Sequence, residues 1–418
     1  MCLSWLCCLS VAAASLAMTG PPSVRNLNEA LEDQSVAAAL AHIERHRPQT
    51  AELLREIGSV ISPSGHEQER AELVAARMRE IGLSDVRVDE SPNAVGVVPG
   101  RSGRALVFIA TLDDLATVVE HQKAQGRPTL DGDRVVGPGT NTSSTTAAML
   151  AAAEAMVATG LTPKHDLVFA AVAQEETGLV GMRNLYEELG ARALAYVDVL
   201  GDGRRISYGA LVIHWWKVVG HGPPGHSLGG GLPNVNRALA RAIDRIFDLP
   251  QPEREKDKRT VVNISMIQSG SVFNHKPATG WFSLDIRSLD ATVVEEIENE
   301  VRSILALVGE TAEIRLEMEP FQLTPGGQIP GARDSDLVRT SEAIARYLGF
   351  EPTLRNTGSS NMNYPIGRGT PAIGLGGQRG GRRAYPDEWA DIPSMIATAK
   401  HVLLLAATMG GAGSVDSR

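Results

Sequence analysis

The chain of 418 residues is 43% hydrophobic and carries a net charge of −9. This length is sufficient for two domains with substantial cores, and the acidic balance without a dominant basic patch disfavours nucleic acid as a partner. All three cysteines (Cys2, Cys7 and Cys8) lie in the first eight residues, which excludes disulfides and thiolate metal sites from the rest of the chain. The low aromatic content of 4% and the abundance of Gly are typical of tightly packed α/β layers.

The first 20 residues are an apolar run of signal-peptide length, MCLSWLCCLSVAAASLAMTG. Ser15-Leu16-Ala17 offers small residues for cleavage after Ala17, although the usual basic segment is missing. We therefore predict a signal peptide at 1–20 and an exported protein, either periplasmic or secreted. The alternatives are an apolar leader that stays attached, or lipidation of Cys8. No later run is long and apolar enough to predict a membrane span.

Helices and strands then alternate along the chain. Ser64-Gly65-His66-Glu67 has the spacing of a capping box for a helix that Gly82 closes, and Thr142–Ser144 can cap an Ala-rich helix. The pattern predicts strands at 86–88, 94–98, 105–110, 166–173 and 195–199. Such alternation predicts an α/β fold with a mostly parallel sheet and helices on both faces.

The order of elements changes in the next hundred residues. Strands are predicted at 212–219, 260–267, 279–286 and 313–319, and helices at 236–247 and 291–308. This order is that of a ferredoxin-like α+β unit. The α/β pattern then returns, with helix 334–347, strand 372–375 and a final helix through Met409. We therefore predict one large domain in two parts, 21–209 and 321–418, and an inserted domain at 210–320.

The apolar strand 166–173 leads directly into two adjacent acids, Glu175 and Glu176. Open α/β sheets place their sites at the carboxyl ends of the strands. The sequence therefore predicts a functional site at this position.

Three segments of the tail resemble a known family: GSSNMN (358–363), TPAIGLG (370–376) and GGRRAYPDEW (380–389). With the Glu pair, they resemble the co-catalytic two-zinc exopeptidases, which include tripeptide aminopeptidase, carboxypeptidase G, acetylornithine deacetylase, succinyl-diaminopimelate desuccinylase and aminoacylase. The tail is most similar to the tripeptide aminopeptidase branch. The resemblance implies a zinc-exopeptidase-like sheet, an inserted lid domain that forms a homodimer, and hydrolysis of small peptides or N-acyl amino acids by zinc-activated water.

The resemblance also implies roles for individual residues. Glu175 matches the general base, Glu176 matches a zinc ligand, and Asp198, or less well Asp202, matches another. The other three ligand positions carry Thr111, Thr142 and Tyr385 in place of a histidine, the bridging aspartate and a second histidine. Asp113 matches the carboxylate that orients the first histidine, and Asn361 replaces an aspartate of the tail.

These replacements leave two carboxylates and no imidazole at the implied metal centre. Zinc prefers nitrogen and sulfur ligands, so the expected cofactor is none, or a weakly bound divalent metal. Tyr385 is expected to fill one vacated position and to donate a hydrogen bond to Glu176 or Asp198.

The residues that hold the substrate in the family are retained. His226 matches a histidine that reaches the scissile carbonyl across the dimer interface, and Asn274 and Arg287 match residues that hold the substrate's carboxylate or backbone. The simpler interpretation of Arg287 is an ion pair with Asp285.

Three functions remain open from the sequence. The first is a peptidase or amidase with a degraded metal centre, whose hydrolysis is impaired, metal-poor or metal-independent. The second is a non-catalytic protein that binds a peptide-like ligand or a partner. The third is a metal-free lyase or isomerase with Glu175 as base and Tyr385 as acid.

Overall fold

The computed structural model describes residues 25–249 and 258–413, so the predicted signal peptide lies outside the described residues. Twelve α-helices form within these ranges. They are α1 (Leu27–Glu32), α2 (Gln34–Arg45), α3 (Arg47–Ser59), α4 (Gln68–Ile81), α5 (Ala116–Gln125), α6 (Thr140–Ala158), α7 (Val180–Leu189), α8 (Val235–Phe247), α9 (Ala291–Ala312), α10 (Asp336–Tyr347), α11 (Asn363–Gly367) and α12 (Ile392–Thr408). In the same ranges, no helix is long and apolar enough to cross a membrane.

The strands of the described residues fall into two main sheets and two small ones. They are β1 (Ser84–Val88), β2 (Ala94–Val98), β3 (Ala105–Thr111), β4 (Thr129–Asp131), β5 (Arg134–Val136), β6 (Asp166–Val172), β7 (Ala193–Val199), β8 (Arg205–Ser207), β9 (Val212–His221), β10 (Gly225–His226), β11 (Val261–Asn263), β12 (Ile267–Ser269), β13 (His275–Lys276), β14 (Thr279–Ser288), β15 (Arg315–Thr324), β16 (Thr353–Arg355), β17 (Ala372–Gly376), β18 (Gly380–Gly381) and β19 (Trp389–Asp391).

The large domain is built on an eight-stranded sheet in the order β1-β2-β6-β3-β7-β17-β8-β16. Its central strands β6, β3, β7 and β17 run parallel. Alternate residues of β3 enter different cores: Leu106 and Phe108 join one apolar cluster, and Val107 and Ile109 join the other. Both faces of a parallel sheet must be covered in this way, which confirms the predicted mostly parallel α/β sheet with flanking helices.

The inserted domain has an antiparallel sheet in the order β11-β14-β9-β15, with β12 also paired to β14. Strand β14 alternates buried and more exposed residues, as a sheet with one covered face does. Helices α8 and α9 cover the buried face through Leu239 and Ile297, which share a core with Phe282 and Leu284. This is the α+β lid domain that the order of elements predicts.

Two local predictions are wrong. The strand predicted at 260–267 is broken into β11 and β12, because a bulge opposite Ser283 shifts the register of the pairing with β14. At the bulge, the Ser283 hydroxyl accepts hydrogen bonds from the backbone N–H groups of Ser265 and Met266. The capping box at Ser64 does not form either. The helix starts at Gln68, and the Ser64 hydroxyl donates to Asp113 instead.

The Ala-rich helix also begins earlier than the sequence suggests. Helix α6 starts at Thr140 after Gly139, which has a φ of +83°. Thr142–Ser144 therefore lie inside the helix and do not cap it. Hydroxyl side chains in this part of the helix donate hydrogen bonds to carbonyls of the preceding turn, as Thr145 does to the Thr142 carbonyl. Because α6 is buried along nearly its whole length, small Ala side chains allow the sheet and the neighbouring helices to approach it closely.

Candidate functional site

The Glu pair lies in a tight loop between β6 and α7, and two buried carboxylates hold its backbone. Gln174 adopts a left-handed conformation (φ 55°), and its N–H donates to Glu67 at 3.0 Å. The N–H groups of Glu175 and Glu176 donate to the two carboxylate oxygens of Asp113 at 2.9 and 3.0 Å. Asp113 therefore fixes the direction of the Glu pair from the end of β3, a role that the sequence did not predict for it.

Asp198 is fully buried at the end of β7. Its Oδ2 accepts the Ser360 hydroxyl at 2.6 Å and the Met362 N–H at 3.1 Å, while Oδ1 has no hydrogen-bond partner. Burial raises the pKa of Asp198 to about 6, and the bonds from Ser360 and Met362 oppose that rise. Asp202, the weaker candidate, instead accepts the N–H of Arg204 in its own loop and the N–H of Gln378, which follows β17.

The two threonines at implied ligand positions are bound to the protein itself. The Thr111 hydroxyl accepts a hydrogen bond from the Asn361 amide at 3.1 Å, which joins the end of β3 to the loop before α11. Thr142 is buried in the first turn of α6. Beside it, the N–H of Asn141 donates to Glu388 at 2.9 Å, so a carboxylate satisfies the amino end of this helix.

Two arginines bring positive charge to the acidic cluster. Arg383 forms an ion pair with Glu176 at 3.1 Å. Desolvation, together with repulsion from Arg383, lowers the pKa of half-buried Arg379 to about 10, while the charges of Glu175, Asp198 and Glu388 oppose that change. Both arginines belong to the segment around β18, and Glu388 secures this segment by accepting the Ala384 N–H at 2.9 Å.

Glu175 stands in a crowded acidic environment. Burial raises its pKa well above the usual range, and the charges of Glu176, Asp113 and Asp198 raise it further. Burial also raises the pKa of Glu176, which Arg383 opposes. The raised pKa means that Glu175 takes up a proton more readily than an ordinary glutamate does, and in its protonated form it donates a hydrogen bond.

Tyr385 lies at the surface of the same segment, and 53% of its area is exposed. Its ring packs under the guanidinium of Arg382, at 4.2 Å from the ring centroid. The ion pair to Glu176 comes from Arg383, two residues earlier in the chain. The expected hydrogen bond from the Tyr385 hydroxyl to Glu176 or Asp198 is therefore not formed in the described residues, because Arg383 pairs with Glu176 and the tyrosine ring packs against Arg382.

A cavity of about 300 Å³ separates this cluster from the lid. Glu175, Glu176 and Arg383 line one side, and Arg287 and Trp215 of the lid line the other. Arg287 forms a two-pronged pair with Asp285, with distances from 2.9 to 3.1 Å. The ion pair of Arg287 with Asp285 and the predicted place of Arg287 in the site are thus compatible, because Asp285 orients a guanidinium that still borders the cavity.

His226 and Asn274 lie together in a different part of the lid. The Asn274 amide lies 2.9 Å from Nε2 of His226, and Nδ1 of the same ring accepts the Leu228 N–H at 3.1 Å. Both residues are exposed, and neither lines the cavity between Glu175 and Arg287. Within one chain, the predicted site residues therefore form two separate groups.

Arg379, Arg383 and Ser360 were not predicted as site residues from the sequence. A signal was present, because three arginines (Arg379, Arg382 and Arg383) fall within five residues of a Gly-rich segment, next to the position where the family places its last histidine. Nothing local indicates that Arg383 forms an ion pair with Glu176, which is distant in the sequence.

A mostly parallel sheet with acids at its strand ends, faced by a lid that carries an arginine, defines a two-domain protein of the exopeptidase class. The model of "Peptidase family M20/M25/M40" matches residues 114–408, which is more than half of the chain. The chain therefore belongs to this peptidase family, as the tail segments and the Glu pair indicate.

Solved structures with a similar fold include members of the tripeptide aminopeptidase branch. Aminopeptidase PepT from Bacillus cereus shares 18% identity and a TM-score of 0.71, over 86% of this chain and 97% of that one. A tripeptidase from Staphylococcus aureus shares 19% identity and a TM-score of 0.70, over 86% and 97%. The YXEP protein of Bacillus subtilis, described as a dinuclear metal-binding peptidase, shares 15% identity and a TM-score of 0.65, over 88% and 99%. No curated protein matches the sequence significantly.

Proposed function

We propose that this chain takes small peptides or N-acyl amino acids into the cavity between the Glu pair and Arg287, and that it hydrolyses them slowly and without the family's pair of zinc ions. The family supports a peptidase-type activity. The observation that carries the proposal is the ion pair at the implied metal centre, where Arg383 neutralises Glu176 at 3.1 Å. The charge of Arg379 also interacts with those of Glu175 and Asp198.

The donor set does not fit two zinc ions. Asp198 keeps one oxygen without a hydrogen-bond partner, but the three implied ligand positions at Thr111, Thr142 and Tyr385 offer no imidazole or carboxylate. Thr111 is also engaged with Asn361. Among the described residues, the one group of three or more His, Cys, Asp and Glu side chains with ligand atoms close enough to share an ion lies elsewhere, at His42, His46 and Glu154. We therefore derive no catalytic step through a metal at the strand ends.

The remaining groups can still bind and polarise an amide. The Arg287 guanidinium offers two parallel N–H donors to a substrate carboxylate. On the opposite wall, Arg383 places positive charge where a carbonyl oxygen would become anionic during hydrolysis. A protonated Glu175 can donate to the same oxygen or to the leaving amine. What the site lacks is an activated water, so turnover is expected to be far below that of metal-loaded relatives.

The second candidate is a binding protein without catalysis. The specific observation in its favour is the raised pKa of Glu175, since a protonated carboxyl is a poor general base. Both candidates predict ligand binding that depends on Arg287, and they differ in whether Glu175 contributes to amide turnover.

Calorimetry and turnover assays on the same EDTA-treated protein test the proposal. A panel of tripeptides and N-acyl amino acids is titrated into wild type, Arg287→Ala and the control Arg237→Ala, an exposed arginine of α8. We expect binding in EDTA that Arg287→Ala weakens at least tenfold and Arg237→Ala leaves unchanged. Turnover should be slow, insensitive to EDTA and lost in Glu175→Gln. Turnover that EDTA abolishes and zinc restores would overturn the proposal, and binding without any turnover would select the second candidate.

We further propose a homodimer through the lid, with His226 of one subunit meeting the cavity of the other. Phe273 and Leu228, which flank His226 and Asn274, are almost fully exposed, and large apolar patches commonly mark interfaces. Light scattering of wild type and Phe273→Glu tests this, with a dimer expected for the first and a monomer for the second. Export remains a prediction, checked by sequencing the amino terminus of the mature protein.

A further inference from the structure

Two histidines and a glutamate meet on the outer side of the large domain, away from the cavity. His42 lies in the last turn of α2, and His46 follows that helix directly. Glu154 projects from α6, which packs against α2. One ligand atom from each side chain lies within 4.8 Å of the other two. Glu154 is twelve residues beyond Thr142 in the same helix, so the group lies about 18 Å from the amino end of α6 that borders the acidic cluster.

The two imidazoles lie next to each other at the end of α2. Residues four apart on a helix project from the same face, and the His42 and His46 rings are stacked with centroids 3.8 Å apart and an angle of 13° between their planes. Nδ1 of His46 lies 2.9 Å from the carbonyl oxygen of His42. That contact makes Nδ1 the donor and leaves the lone pair on Nε2, which is how proteins orient a metal-binding histidine.

Glu154 is the third possible ligand, and it does not form a hydrogen bond with His42. Nε2 of His42 is buried and has no hydrogen-bond partner, and it lies 3.7 Å from Oε1 of Glu154. That separation is too long for a hydrogen bond. Ligand atoms about 2.05 Å from a tetrahedral ion are roughly 3.3 Å apart. The three donors are near that spacing, and one ion would bridge them once the two imidazoles rotate out of their stack so that both lone pairs point to it.

We propose that His42, His46 and Glu154 form a site for one divalent transition-metal ion, of which zinc is the best chemical match, with water in the remaining coordination position. Two neutral nitrogen ligands and one carboxylate are a donor set that zinc, cobalt and nickel accept and that calcium and magnesium do not prefer. The ion joins α2 to the carboxyl-terminal half of α6. Its role is to stabilise the packing of the amino-terminal helices on the domain, since an ion that binds only the folded chain raises its stability.

Zinc and cobalt titrations of the tag-free, EDTA-stripped full chain test the site. Calorimetry should give one ion per chain, and zinc should raise the melting temperature. His46→Gln and Glu154→Gln should each weaken zinc binding at least tenfold and remove most of the thermal shift. The control His66→Gln replaces an exposed histidine outside the group and should bind as wild type does. Cobalt absorption should indicate nitrogen ligation in wild type and lose that signature in His46→Gln.

Three outcomes would overturn the proposal. They are no binding by wild type, unchanged binding in both His46→Gln and Glu154→Gln, or binding that is lost in Glu176→Gln and retained in His46→Gln. The last result would place the ion at the acidic cluster instead. Melting curves of all variants in EDTA establish that each one folds. Ligand binding in the Arg287 cavity is measured in EDTA, so the failure of one proposal does not decide the other.

Discussion

The Asp198→Asn substitution is expected to stabilise the protein increasingly as the pH rises. Burial raises the pKa of Asp198 to about 6 in the folded chain, whereas an unfolded chain returns it to about 3.9. Because the folded pKa is the higher one, the stability contributed by this carboxyl is fully present below about pH 4 and is lost as the pH rises through about 6. A difference of about two pKa units corresponds to about 3 kcal/mol.

Urea unfolding of wild type and Asp198→Asn at a series of pH values between about 4 and 8 measures this effect. The amide keeps the size of the side chain and its acceptor oxygen and removes the ionisation. The unfolding free energy of the variant, relative to wild type, should therefore rise by about 3 kcal/mol over this range, with and without EDTA. Asp131→Asn, at an exposed turn, serves as the control and should give a flat difference.

The opposite slope would refute the reasoning. A carboxylate that binds a cation in the folded state has a lowered pKa, so wild type would gain stability over the variant as the pH rises. That result in the absence of EDTA, and its disappearance with EDTA, would mean that Asp198 is a working metal ligand. A flat difference would mean that the carboxyl is less buried than its contacts indicate.

Three further substitutions probe the supports of the site. Arg70→Met should lower the unfolding free energy by about 3–5 kcal/mol in urea titrations. The guanidinium lies 2.6 Å from the buried Asp114 carboxylate, which the substitution leaves without a counter-charge. The double variant with Asp114→Leu should recover much of the lost stability, and failure to recover it would contradict this explanation. Arg383→Gln should change the unfolding free energy by less than about 1 kcal/mol, since the arginine side chain is 46% exposed. Calorimetry should nevertheless show weaker binding of carboxylate ligands, because Glu176 loses its counter-charge. Gly380→Ala should destabilise the protein by about 1–3 kcal/mol in thermal unfolding. Gly380 has a φ of +148°, and a Cβ at this position would lie 1.9 Å from a carbonyl oxygen of β19. An unchanged melting temperature would show that this turn can shift.

If the metal ligands are replaced as we propose, Arg383 and Arg379 give a physical account of how the remaining carboxylates are tolerated. Carboxylates that no longer face a cation repel one another and favour protonation. Arg383 removes part of that repulsion at Glu176, and Ser360 and Met362 hydrogen-bond to Asp198. The pKa values of Glu175 and Asp198 nevertheless stay raised, and that of Asp198 is the basis of the pH dependence predicted above.

Local pattern in the sequence was sufficient for the framework of this protein. The apolar run that ends in Glu175 and Glu176 predicts a buried strand with acids at its end, because side-chain alternation and burial are encoded in consecutive residues. The same holds for β3, for β14 and for the tail segments that indicate the family. The two wrong predictions of helix caps have a common cause, which is that the local residue pattern matches a cap but contacts distant in sequence decide the outcome. Ser64 hydrogen-bonds to Asp113, and at the start of α6 the Asn141 N–H donates to Glu388.

The charge and protonation of the site depend on contacts that no local pattern contains. Arg383 meets Glu176 across 207 positions of sequence, and Asn361 meets Thr111 across 250. Asp113 takes on a new role because two backbone N–H groups come within reach only when β3 and β6 pair. Residue types and their order determined the strands and the acids on them. The folded arrangement determined which charges face each other and how deeply they are buried, and electrostatic energies depend on exactly those two quantities, since Coulomb interactions vary with distance and with the local dielectric.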